Sequence, residues 1–176
     1  MAGSEFFLQG NISSEILLPL QQEILTAHDE WHVNVPFTLY ISSQGGGVEE
    51  GLSMVSLIHA VRRSGRIFNT HIAGGAYSMG AIISQAGSHR SIDSYGFLML
   101  HEQSMGVEND SLKKGDFKHH AAQLEATEKV LVDIVASRSG MDAETVRGRF
   151  FEGPDVYIGA VVALELGLVD EVLEDL

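Results

Sequence analysis

The sequence predicts an α/β fold with a mostly parallel sheet, and three observations predict it. Short runs of β-formers alternate with apolar stripes at helical spacing along nearly the whole chain. Phe97–Leu100 (FLML) is apolar at every position, as expected of a strand covered on both faces. Two strand-to-helix junctions, SSQGGGVEEG at 42–51 and HIAGGAYSMGA at 71–81, are built from glycine, serine and other small residues.

The elements follow in order. Glu5–Gln9 reads as a short aromatic strand. Ser14–Ala27 places Ile16, Leu17, Leu20, Ile24 and Leu25 at helical spacing, with Ser13 or Ser14 available as cap. Phe37–Ile41 (FTLYI) is a strand, and Ser42–Gly47 reads as a loop. Val48, Leu52, Val55, Ile58 and Val61 stripe a helix over Val48–Arg63. A strand over Arg66–Ile72 is expected to break at Gly74-Gly75. Ser78–Ala86 is a helix of small residues, and Ser91–Asp93 is a short strand. Asp116–Ser137 is the longest helix, with Phe117, Ala121, Leu124, Leu131 and Val135 on one face and Gly140 as its stop. Asp142 caps a helix to Phe150. Val156–Leu166 reads as a helix ended by Gly167, and Leu168–Val172 as a last strand.

Composition narrows the chemistry. The 176 residues are 44% hydrophobic and 20% charged, with no linker or repeat, so one globular domain spanning 1–176 is expected. No window is apolar enough to span a membrane, and Met1–Gly10 has no basic region before an apolar run. A cytoplasmic location without membrane contact is the expectation. With no cysteine, disulfides, thiolate catalysis and cysteine-based zinc sites are excluded. A net charge of −13 repels nucleic acid and anionic lipid. Arg62, Arg63 and Arg66 form the densest basic cluster and read as a solvated helix end. There is no His-Glu-x-x-His and no aspartate-rich calcium loop, and His101-Glu102 stands alone. No metal and no cofactor is expected.

Five positions carry candidate chemistry. The glycine loop lacks both the Walker and the dinucleotide spacing, and Glu49 and Glu50 would repel a phosphate. It serves equally as a tight turn or as backbone N–H groups aimed at an oxyanion. Ser78 lies where a strand turns into a helix. There it can be an N-cap or an exposed nucleophile with the Met79 N–H behind it, although Ala76 and Gly80 are not the flanks of a Gly-x-Ser-x-Gly elbow. His101 follows the apolar strand at its C-terminal end, where parallel sheets bind ligands, whereas His28, His32 and His59 read as surface groups, His119 and His120 point to different faces of one helix, and His89 follows a glycine in a loop. It ends a strand or acts as a base. Asp155, after Pro154, caps the next helix or orients the histidine.

Taken together, residues 37–51, 71–81 and 97–103 (FLMLHEQ), with DVYIGAVVALELGLVDEV at 155–172, resemble the proteolytic subunit of the Clp protease, ClpP. The resemblance runs from about Phe6 to Val172. It implies a crotonase-like fold, a spiral of αβ units with a projecting handle at about 105–138. It implies a serine endopeptidase with Ser78 as nucleophile, His101 as base, Asp155 as orienting carboxylate, and the N–H groups of Gly46 and Met79 as oxyanion donors. It also implies a homo-oligomer of stacked heptameric rings around a chamber that an AAA+ unfoldase feeds with polypeptide. Three departures stand out. The chain begins close to the first core strand, without the family's N-terminal helix and axial loops; Gln44 stands where the family usually has proline; and the stretch from His101 to Asp155 is a few residues longer. A non-catalytic ring component and a crotonase-fold acyl-CoA enzyme are the other readings.

Overall fold

The computed structural model describes residues 4–103 and 114–174, the side chains of 114–118 lying outside that description. Its first unit is β1 (Ser4–Ile12), α1 (Ser14–Glu30) and β2 (Phe37–Gly46). Then come α2 (Val48–Arg63), β3 (Phe68–Tyr77), α3 (Met79–Ser84), β4 (Arg90–Asp93) and β5 (Phe97–Leu100). The chain closes with α4 (Lys114–Ser139), α5 (Ala143–Phe150), β6 (Val156–Gly159), α6 (Ala160–Glu165) and β7 (Glu171–Leu173). Among the described residues no helix is long and apolar enough to cross a membrane.

The main sheet runs β1-β2-β3-β4-β7, every neighbour parallel. β3 forks. Its first half, Thr70–Ile72, pairs with β4, and its second half, Gly75–Tyr77, pairs with β5. β6 then joins β5 antiparallel, with Leu100 opposite Val156. At the fork the C-terminal ends of β3 and β5 pair with each other, and both candidate catalytic residues, Ser78 and His101, follow those ends.

Alternation along β1 and β2 turns Phe6, Leu8, Phe37, Leu39 and Ile41 inward. Phe6 meets Phe37 at 5.0 Å and Phe68 at 6.4 Å between ring centroids. Burying one such ring is worth about 1.5–3 kcal/mol. On the opposite face a row of paired positions, Phe7, Tyr40, His71 and Ser91, crosses four strands.

Two buried arginines lock the scaffold. Arg66, only 2% exposed, donates to the carbonyls of His28, Trp31, His32 and Val35 and lies 4.2 Å over the Phe37 ring. It satisfies carbonyls left open where α1 ends without a glycine cap. The expected solvated role of this arginine is therefore corrected: its guanidinium is inside. Arg90 donates to Asp170 from its backbone N–H, its Nε and its terminal nitrogen, and also to Gln85 Oε1 and the Gly167 carbonyl. This clamp joins β4 to the turn before β7.

Several sequence expectations are corrected. Ser42–Gly46 is strand rather than loop, and β3 continues through Gly74-Gly75 to Tyr77. Val156–Gly159 is a strand rather than the start of a helix, because it finds β5 as partner; only Ala160–Glu165 is helical. Phe97 is 46% exposed, so β5 is not covered on both faces. Part of the handle expected at 105–138 lies outside the described residues, and its remainder is α4. Asp142 caps α5 by accepting from the Thr145 N–H at 2.9 Å, and Gly167 ends α6 at φ 66°, as expected.

Hydrogen bonds from Arg90 hold the Asp170 carboxyl below its usual pKa. A lowered folded pKa means stability present above the unfolded value, about 3.9, and lost as pH falls through the folded one. Asp170→Asn strands a buried guanidinium. It should destabilise the protein by about 3 kcal/mol near neutral pH, at the low end for a broken buried pair because Asp170 is partly exposed. The gap between denaturant melts of the two proteins should begin to narrow below about pH 4 and close as pH falls through the lowered folded pKa.

Candidate active site

β3 leaves the sheet at Tyr77, and Ser78 makes the turn into α3. Ser78 adopts φ 53°, ψ −121°, and is the one non-glycine residue with positive φ among the described residues. Such backbone costs of order 1–3 kcal/mol and persists only where surroundings enforce it. The enforcement is visible. The Ser78 N–H donates to the Met99 carbonyl at 2.7 Å, tying the turn to β5. Gly45 packs so close that an added Cβ would sit 2.6 Å from the Ser78 Cβ and 2.8 Å from the Tyr77 carbonyl oxygen. A Cβ on Gly80 would stand 3.2 Å from the Ser43 Cβ, and one on Gly51 only 2.3 Å from Met79 Cε. The small residues of α3 and the glycine of α2 thus allow β2, α2 and α3 to converge beneath Ser78.

Ser78 does not cap α3 with its side chain. Its Oγ lies 2.8 Å from His101 Nε2. With the imidazole proton on Nδ1, the hydroxyl donates and Nε2 accepts, the arrangement that lets the ring take the proton during attack. The geometry is that of a nucleophile elbow without its Gly-x-Ser-x-Gly sequence.

Gly46, Ser78, Met79 and His101 open into one cleft of about 260 Å³. Its walls are apolar, from Ile82, Leu100, Leu124, Leu131 and Phe151, with Gln103 as a polar edge. Gly46 has φ 146°, and a Cβ there would lie 2.3 Å from the Ile12 carbonyl oxygen, so only glycine fits against β1. Four of the five expected site residues therefore meet. Asp155 stands apart. The β5–β6 register puts it across from His101, one step beyond Leu100 opposite Val156. It is exposed, and among the described residues no hydrogen bond joins it to the His101 ring. Because a strand follows it, the helix-capping role does not arise.

A second hydroxyl–imidazole–carboxylate set escaped the sequence reading. His71 Nδ1 lies 2.9 Å from Ser91 Oγ, and Nε2 lies 3.0 Å from Asp93 Oδ1. Period-two placement of Ser91 and Asp93 on β4, opposite His71, was the available signal. Ser91 sits inside a strand paired on both sides, with β3 and β7, so the backbone there is engaged in the ladder. This set braces the exposed sheet face; the strained turn and glycine strand belong to Ser78 alone.

The family model described as Clp protease matches residues 2–175, essentially the whole chain.

Gly45→Ala should strain φ and push on Ser78, cutting fluorophosphonate labelling of the serine by about tenfold or more. Gly140→Ala, at φ 74° with nothing within 4 Å of the added carbon, is the control for backbone strain alone. Equal labelling of the two variants would remove Gly45 from the argument.

Proposed function

The chain belongs to the Clp protease family, and on that footing we propose that it is a serine endopeptidase of unfolded polypeptides, with Ser78 as nucleophile. Its crotonase-like α/β scaffold positions the reaction at the fork of β3 and β5. One observation carries the reading: a serine in a strained strand-to-helix turn, 2.8 Å from an imidazole nitrogen.

Ser78 Oγ attacks the scissile carbonyl carbon as His101 Nε2 accepts its proton. The carbonyl π electrons move to oxygen. The backbone N–H groups of Gly46 and Met79, both on the cleft, are the proposed donors to that oxyanion. His101 then protonates the leaving amine as the C–N bond breaks, giving an acyl-serine. Water, deprotonated by His101, releases the acid and restores Ser78. Asp155 is the proposed partner of Nδ1–H, fixing the tautomer and stabilising the imidazolium. The apolar walls receive a substrate side chain by burial alone. The reading extends to stacked homo-oligomeric rings, with an AAA+ unfoldase as the feeding partner that the family resemblance implies.

A second reading, a non-catalytic ring component, is favoured by one observation: His101 and Asp155 are opposite each other but not hydrogen-bonded. Fluorophosphonate labelling separates the two. Adduct on Ser78, absent in His101→Ala, is the expected result, together with loss of peptide hydrolysis in Ser78→Ala. Asp155→Asn should lower turnover by about 10³–10⁴ by allowing the wrong tautomer. Unlabelled Ser78 in assembled protein would favour the non-catalytic component.

A further inference from the structure

Of 11 lysines and arginines against 24 acidic residues, four arginines gather at one corner of the molecule. Arg62 and Arg63 end α2, Arg66 begins the next segment, and Arg138 comes from the last turn of α4. A cleft of about 430 Å³ opens here, lined by His59, Arg62, Arg63, Arg66, Ile67 and Ser88. Its volume is in the small-ligand range of about 300–1,000 Å³.

The corner is prearranged and under-neutralised. Arg62 donates to the Ala86 carbonyl at 2.7 Å, and Arg138 donates to the adjacent Gly87 carbonyl at 3.0 Å. Those bonds anchor two guanidinium groups while leaving other N–H donors uncommitted. Arg138 Nε is buried with no hydrogen-bond partner. Among the described residues, none of Arg62, Arg63 and Arg138 has a carboxylate within ion-pair distance, although acidic groups outnumber basic ones two to one. Among the described residues no carboxylate lines the cleft.

We propose that this cleft binds the phosphate monoester group of a small phosphorylated molecule. Guanidinium forks match phosphate oxygens bidentately, and clustered cations favour a dianion over a single carboxylate. The Ser88 hydroxyl and the His59 ring lie on the same cleft as additional donors. Ile67, 56% exposed, offers an apolar surface to the organic part. The site is separate from the serine cleft, with which it shares no lining residue.

His59 supplies the readout. Burial, then Arg62, Arg63 and Arg138, lower its pKa. A bound dianion offsets those cations and must raise it, because anion and proton binding are linked. The His59 ring resonances, assigned with His59→Gln, are followed against pH in the full chain. Inorganic phosphate and phenyl phosphate are compared with chloride at equal ionic strength. Both phosphates should raise the His59 midpoint saturably, and phenyl phosphate should bind more tightly. Arg63→Gln, an exposed change, should weaken phosphate binding about tenfold, the loss of one charge-assisted contact. An equal shift in chloride, or an undiminished response in Arg63→Gln, overturns the site. Succinate binding as tightly as phosphate overturns the ligand assignment.

Discussion

No side chain fits between Gly45 and Ser78, and much of the site depends on that fact. The close approach holds the serine backbone at positive φ, presenting its hydroxyl to the histidine instead of to the first turn of α3. β2 must therefore run past the end of its pairing with β3 and end in glycines. The residue after Gly45, Gly46, lines the cleft, so the strand end that shapes the Ser78 turn also forms part of the cleft wall. Met79 holds the arrangement from below by packing over Gly51, which couples α2 to α3. The strain at Ser78 is offset by the Ser78 N–H bond to β5 and by the convergence of three elements on the turn.

Charge is distributed with similar economy. Arg66 and Arg90 are both buried, but they are satisfied differently. One collects neutral carbonyls and an aromatic face; the other holds a carboxylate, an amide and a carbonyl. Each substitutes for a device the sequence lacks, a helix cap in the first case and a long closing strand in the second. Among the described residues the remaining arginines at the ends of α2 and α4, Arg62, Arg63 and Arg138, crowd together without a carboxylate at ion-pair distance. In so acidic a chain that corner is a local reversal of the surface potential.

Most of the scaffold was legible because the hydrophobic periods are clean. Phe37–Ile41 and the Val48–Val61 stripe gave strand and helix directly. Misreadings came where a distant partner decides. Gly74-Gly75 looks like a breaker, yet Gly75 only makes room for the Tyr77 ring, 2.7 Å from where its Cβ would stand. Val156-Tyr157-Ile158 has β-forming residues at the head of a helical pattern, and pairing with β5 takes them into the sheet. Arg66 seemed solvated because no local pattern shows carbonyls arriving from residues 28–35. Ser78 and His101 could be placed from the ends of two strands. The position of Asp155 could not, since it follows from the strand that was read as helix.

The order of strands has a consequence in time. Ribosomes deliver the chain from its N-terminus, so Ser78 and His101 emerge well before the carboxylates that follow them. Arg90 waits 80 residues for Asp170, and β4 keeps an open edge until β7 arrives. Contacts of such long range close late and slowly. A nascent or prematurely terminated copy therefore leaves the Arg90 guanidinium without its carboxylate and β4 without its β7 neighbour.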